Sequence, residues 1–166
     1  MTGETGHEQK QAVLDEHAAN PAIAALGQQL PGTIQDAKFD RQELTLTVAR
    51  ENIVAACRVL QSAGFNFMSD LTCVDWYPNQ PRFQVTYHLL SMGMKQRVRL
   101  CVMVSESDLS VDSITDVWPA ANFYEREVFD LFGVRFGGHP NLRRILMPED
   151  YNGNPLRKDF PVEGYR

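Results

Sequence analysis

The chain has 166 residues, 43% of them hydrophobic and 22% charged, with a formal net charge of -5. That length supports one domain able to bury roughly 65–70% of its unfolded surface, so no disulfide or metal staple is required. The acidic balance excludes the basic footprint that neutralises nucleic-acid phosphates, and apolar runs as short as Ala22–Leu26 and Leu100–Val104 exclude a membrane-crossing helix of about 20 residues.

Residues 1–10 mix Gly3, Glu4, His7 and Glu8 without an apolar centre, so they read as a disordered start that lacks the pattern of a secretory signal. A cytoplasmic location follows from that reading. Gln11–Leu26 is expected to be one helix, with Val13, His17, Ala24 and Leu26 on a modest apolar face before Gly27. Thr33–Phe39 and Glu43–Ala49 flank the turn Asp40-Arg41-Gln42, and Leu44, Leu46 and Val48 alternate with threonines as a half-buried strand should. Glu51–Ala63 places Ile53, Cys57 and Leu60 at helical spacing, with Gly64 as its stop. Three strands follow, in Phe65–Trp76, Arg82–Leu90 and Gln96–Ser105, the first pair separated by Pro78-Asn79-Gln80-Pro81 and the second by Met92-Gly93-Met94.

Cys57, Cys73 and Cys101 form no C-x-x-C pair, which suits buried thiols in a reducing compartment better than zinc or an iron-sulfur cluster. His7, His17 and His88 show no ligand spacing, and neither glycine-rich nucleotide motif is present. The order of elements predicts an α+β core over residues 11–132, with a largely antiparallel or mixed sheet covered by helices. An extended arm is expected over residues 133–166, where five glycines and four prolines interrupt the pattern and six Lys and Arg outnumber four Asp and Glu. His139, Met147, Asn154 and Phe160 each precede a proline, which holds them extended. The arm cannot be a single helix and has little with which to build a core, so it must lie on something.

The densest chemistry falls on the helix that precedes the arm. At about 100° per residue, Tyr124, Val128, Leu131, Phe132 and Phe129 form a wide apolar arc, while Arg126, Glu127 and Asp130 gather on a polar face. Glu125 lands inside the apolar arc, where an unpaired carboxylate costs several kcal/mol. Three readings stay open. Asn122 caps the helix with Glu125 closing a variant capping box; or the helix starts at Pro119 and Glu125 needs a partner, with Arg143 and Arg144 the nearest candidates; or Glu125 is solvated on a partly exposed face. Gly133 is the expected left-handed terminator.

Catalysis by Glu125 and Glu127 fails on geometry, because the two point in nearly opposite directions around a helix. Glu127 and Asp130 are closer, but no further ligand follows at metal spacing and an arginine partner is the ordinary fate of such a pair. His139, held among Gly137, Gly138 and Pro140, is read as a structural histidine bonding to backbone, with a proton relay as the alternative.

The ordered run Glu125-Arg126-Glu127, Asp130-Leu131-Phe132, His139, Arg143 and Ile145-Leu146 resembles the signature stretch of the thirty-kilodalton-type subunit family of respiratory complex I. In bacterial NADH-quinone oxidoreductases this is the chain called the C subunit. Val117-Trp118-Pro119-Ala120-Ala121 resembles the family's lead-in and Leu156-Arg157-Lys158-Asp159-Phe160-Pro161 its close. The resemblance implies a peripheral-arm subunit of a proton-translocating translocase, without activity of its own, that supports electron transfer from NADH to quinone by the whole complex. It implies no cofactor on this chain, with FMN, iron-sulfur clusters, NADH and quinone on other subunits. The partners it implies are the forty-nine-kilodalton-type and twenty-kilodalton-type subunits of complex I, with no nucleic acid, at the cytoplasmic side of the inner membrane.

Glu125, Arg126, Glu127, Asp130, His139, Arg143, Arg144, Arg157, Lys158 and Asp159 then become structural or interface residues, with no catalytic, cofactor or metal role. Related membrane-bound hydrogenases and ferredoxin-fed dehydrogenases use similar subunits; hydrogenlyase versions are often fused to a large catalytic chain, and an end at Arg166 tilts toward the respiratory type. A stand-alone hydrolase using Glu127 and Asp130 is the remote alternative.

Overall fold

The computed structural model describes residues 3–163, with side chains from residue 8 onward, so Met1, Thr2 and residues 164–166 lie outside it, as does the His7 side chain. Helix α1 is Gly3–Glu16 and α2 is Pro21–Gln29. The single helix expected over Gln11–Leu26 is therefore two, and helix begins within the stretch read as a disordered start. The break has a local cause: Asn20 is extended and accepts from the Ala22 N–H, and Pro21 occupies the first helical turn, where its missing donor is no loss.

Strands β1 (Ile34–Asp40) and β2 (Glu43–Val48) form the expected hairpin. A short 3-10 turn leads into α3 (Ile53–Ser62), and Gly64 follows the helix end with φ +100°. β3 (Phe67–Asp75), β4 (Phe83–Ser91) and β5 (Gln96–Val104) form a meander, and the five strands lie in the order β1-β2-β5-β4-β3. Every pairing is antiparallel except β2 with β5, so the sheet is mixed. The parallel join follows from α3, which carries the chain from β2 across to the far edge before the meander returns.

Alternation along these strands sends Leu44, Leu46, Val85, Tyr87, Leu89, Val98, Leu100 and Val102 to one face. They join Ala22 and Leu26 of α2 and Ile53, Ala56, Cys57 and Leu60 of α3 in one buried cluster. Cys57, Cys73 and Cys101 are buried free thiols; burial above all pushes the Cys73 thiol up to about 12, too high for thiolate chemistry at neutral pH.

The chain after β5 forms a second, smaller sheet that no alternation in the sequence announces. β6 (Ser110–Asp112) pairs in parallel with β7 (Arg135–Gly137), on either side of α4 (Ala121–Phe132). Val111, Val134 and Phe136 are buried in the common core. The first residues after Gly133 thus belong to the domain's packing, and beyond residue 137 the chain runs back over α4.

Candidate functional site

An α-helix leaves its last four carbonyls without partners inside the helix. In α4 these belong to Phe129, Asp130, Leu131 and Phe132, and each is met from beyond the helix. Gly133 donates its N–H to the Phe129 oxygen at 2.9 Å, with φ +81° as the left-handed cap requires. The returning arm serves the other three. Asn154 Nδ2 donates to the Asp130 oxygen at 3.0 Å, the Leu156 N–H to Leu131 at 3.1 Å, and Arg157 Nε to Phe132 at 2.7 Å. A Cβ on Gly133 would stand 2.9 Å from Asn154 Oδ1, so the arm's close approach also depends on that glycine.

Asp130 is the anchor of this contact. Its Oδ2 accepts from the consecutive N–H groups of Ile145, Leu146 and Met147 at 3.0, 2.8 and 2.9 Å. Its Oδ1 accepts from Arg144 Nη1 at 2.7 Å. Burial pushes this carboxyl upward, but those N–H groups and the Arg144 guanidinium outweigh it and hold it below its ordinary value. The helical projection put Asp130 on an outer polar face with Arg126 and Glu127; it is fully buried instead, because the arm lies over it. Arg126 sits beside it and donates to the carbonyls of Arg143 and Arg144 at 3.2 and 3.1 Å, and Arg144 reaches on to the Gly153 oxygen at 3.0 Å. Two arginines therefore hold arm backbone that has no ladder of its own.

Glu125 is also fully buried, but neither Arg143 nor Arg144 is its partner. Ser113 Oγ donates to it at 2.6 Å and the Ile114 N–H at 2.8 Å, while His139 Nε2 stands 4.0 Å away. The capping-box reading falls as well, since Asn122 lies inside α4 and no side chain caps the helix start. Burial pushes the Glu125 carboxyl up to about 7, only partly offset by the Ser113 and Ile114 donors. His139 accepts at Nδ1 from the Asn141 N–H at 3.0 Å, which leaves Nε2 as the nitrogen carrying the proton toward the Asn122 oxygen at 3.2 Å. Both ring nitrogens serve backbone, so the geometry is that of a structural histidine.

A third cluster joins Lys158 and Asp159, expected from sequence, to Arg82, Asp75 and Glu106, which no sequence signal singles out. Arg82, 1% exposed, donates to both oxygens of Asp75 at 2.9 and 2.8 Å and to both oxygens of Asp159 in the arm at 3.0 and 2.7 Å. Glu106 takes a further bond at 2.7 Å, and the guanidinium lies 4.9 and 4.8 Å from the ring centroids of Tyr77 and Phe83. Arg82 holds the Asp75 carboxyl well below the usual carboxylate range against the opposing effect of burial, and it depresses Asp159 likewise. The Lys158 N–H donates to Asp75 Oδ2 at 2.8 Å, so both the backbone and a side chain of the arm's end are bound here. No sequence signal pairs Arg82 with a residue so far along the chain.

The signature residues thus divide four ways. Asp130, Arg126 and Arg144 fasten the arm's first half, Arg157, Lys158 and Asp159 fasten its second, and Glu125 with His139 ties the loop after β6 to the front of α4. Glu127 and Arg143 point outward, and neither side chain has a partner among the described residues. Asp130, fully buried under the arm with four donors on its oxygens, is directed at the arm, away from the outward Glu127. Chemically the arrangement binds backbone.

Residues 46–166 match the family described as respiratory-chain NADH dehydrogenase, 30 Kd subunit. A relative from Geobacter sulfurreducens, named as the C subunit of NADH-quinone oxidoreductase, is 47% identical over 147 residues, 87% of this chain and 91% of that protein. Among solved structures, a trypsin-resistant fragment of Nqo5 is 33% identical with a TM-score of 0.63, covering 76% of this chain and 98% of the fragment. A chain of the membrane-bound sulfane sulfur reductase, an archaeal respiratory membrane complex, is 25% identical with a TM-score of 0.74, over 89% of this chain and 86% of that one. The fold and the charge pattern thus define a subunit of a respiratory membrane complex. The chain belongs to the 30 Kd subunit family of respiratory-chain NADH dehydrogenase.

Removing the two ends of the Arg82 cluster should have unequal effects. Arg82→Ala leaves Asp75 buried without its cation and should cost about 3–5 kcal/mol, while Asp159→Asn, at a partly exposed site, should cost about 1 kcal/mol. Urea denaturation measures both, and comparable losses would contradict the assignment of Asp75 as the buried partner.

Glu125 makes a pH prediction of the opposite sign to an ordinary salt-bridged carboxylate. Its native pKa of about 7 exceeds the unfolded value near 4.5, so the native state binds more protons between them. Stability contributed at this site is full below that window and falls as pH rises through it. Glu125→Gln should therefore gain stability relative to the parent chain across the window, by about 3 kcal/mol at most, read from urea midpoints at successive pH values. A difference that stays constant with pH contradicts the burial of an ionisable Glu125.

Proposed function

We propose that this chain is a non-catalytic architectural subunit of the peripheral arm of a proton-translocating NADH:quinone oxidoreductase. In this reading it meets the forty-nine-kilodalton-type and twenty-kilodalton-type subunits on the cytoplasmic side of the membrane and holds no cofactor itself. The observation that carries it is how the charges around α4 and the arm are used. Asp130, Arg126, Arg144, Arg82 and Asp159 are engaged with backbone and with one another, shaping an arm, and none converges on an open cavity where a substrate would react.

The arm's outer side supports the choice of partner surface. Phe123, Leu146 and Leu156 stand more than half exposed along α4 and the arm, and Glu127 and Arg143 are the outward charges beside them. Exposed apolar side chains flanked by charge are what a contact between subunits requires. No described helix is long and apolar enough to cross a membrane, so association runs through neighbouring subunits. A second reading, membership of a related membrane-bound complex, has the likeness to the archaeal assembly behind it; identity of 47% to the NADH-quinone oxidoreductase relative against 25% favours the first.

A tagged chain purified from its own cells in mild detergent should bring cluster-bearing and membrane subunits with it. Glu127→Ala with Arg143→Ala should lower the yield of assembled complex severalfold while shifting the isolated chain's stability by less than about 0.5 kcal/mol. Recovery of a lone monomer with turnover would sink the proposal, as would a full yield of complex whose turnover alone is lost.

A further inference from the structure

Two turns at one end of the main sheet are built from residues their backbone angles disfavour. β1 and β2 are joined by the two-residue turn Arg41-Gln42, with φ +49° and +66°. Such a turn needs positive φ at both positions, which Asn-Gly supplies with little strain and Arg-Gln does not. Lys95 ends the turn between β4 and β5 at φ +54°. Left-handed backbone at long side chains persists where the side chain is worth more than the conformational cost, which is why such strain gathers at functional sites.

The parallel pairing of β2 with β5 places the turns that feed them side by side. Between them lies a cleft of about 510 Å³ lined by Arg41, Gln42, Lys95, Gln96, Arg97 and Phe39. Phe39 is braced by His17, with ring centroids 4.0 Å apart. The cleft's own carboxylate, Glu43, is taken by Arg99, and the neighbouring Asp40 faces Lys38. Arg41, Lys95 and Arg97 have no acidic partner among the described residues, so this end is cationic in a chain whose net charge is -5.

We propose that this cleft binds an acidic polypeptide segment of a neighbouring subunit. Three unpartnered cations suit carboxylates spaced along a chain, and they steer association as well as fix register. The ring of Phe39, 41% exposed among these cations, decides for a peptide over a phosphate, because a peptide brings side chains that can cover apolar surface and a phosphate brings none. Phe39 supplies apolar surface for a side chain between the carboxylates. The inference rests on the chain's seat in the complex.

The test places the photo-cross-linking residue p-benzoylphenylalanine at the position of Gln42 in the full chain, in cells that make the complex, and sequences what is captured. The expected product joins this chain to another subunit through a peptide with more carboxylates than cations. R41E with R97E should cut capture to less than about one tenth, and R41K with R97K should keep it. Arg41→Gly, which relaxes the turn, should raise the isolated chain's melting temperature and lower capture. A captured peptide that is neutral or basic, a product between two copies of this chain, or an intact complex with no product overturns the inference and leaves the assignment to the complex standing. A purified complex that lacks the chain overturns both.

Discussion

The open carbonyl end of α4 is the constraint from which the lower half of the molecule follows. A helix that ends at Gly133 must find donors for its final turn, and the sheet beneath it has none to give. The arm supplies Asn154, the Leu156 N–H and Arg157, and in return Asp130 supplies acceptors for three successive arm amides. Each side satisfies what the other leaves unmet. That reciprocity explains how a proline-rich segment that adds almost nothing to the buried apolar cluster keeps one path across the surface.

The energetics of the two halves of the chain differ in kind. The sheet and its helices are held by apolar burial, which has no charge to titrate or to screen. The arm is held by charge-assisted hydrogen bonds, each worth roughly 1.5–3 kcal/mol net when well aligned. Arg82 is the most demanding of these devices, because a buried guanidinium must keep its buried partner, Asp75. Asp75 comes from the body, Asp159 from the arm and Glu106 from the loop after β5, so the three segments are fixed relative to one another by one cation. Glu125 plays the comparable part at the front of α4, where burial raises its carboxyl and two donors offset only part of that, whereas three amides with Arg144 bring Asp130 down and Arg82 brings Asp159 down.

Much of this is legible in the residues. Strand alternation in β2, β4 and β5, the glycine stops at Gly64 and Gly133, and the signature run can be read directly because each depends on neighbours in sequence. The break before α2 is equally local, an Asn followed by Pro, but a weak apolar periodicity running across it masks the signal. Asp130's burial and Arg82's role are not legible: a helical projection shows which way a side chain points but not what later covers it, and no pattern links positions 82 and 159. The partner of Glu125 is hidden for a related reason. Oppositely charged side chains are visible in a sequence, whereas the Ile114 N–H and a Ser113 hydroxyl become donors only once the loop after β6 is folded.

The central claim is that Asp130 organises the arm, and amide hydrogen exchange on the full chain tests it most directly. The N–H groups of Ile145, Leu146 and Met147 should be protected in the parent chain and should exchange at least about tenfold faster in Asp130→Ala, with the amides of β4 and β5 unchanged. Equal exchange at those three amides in the two proteins, or a loss of protection shared by the whole sheet, would contradict it.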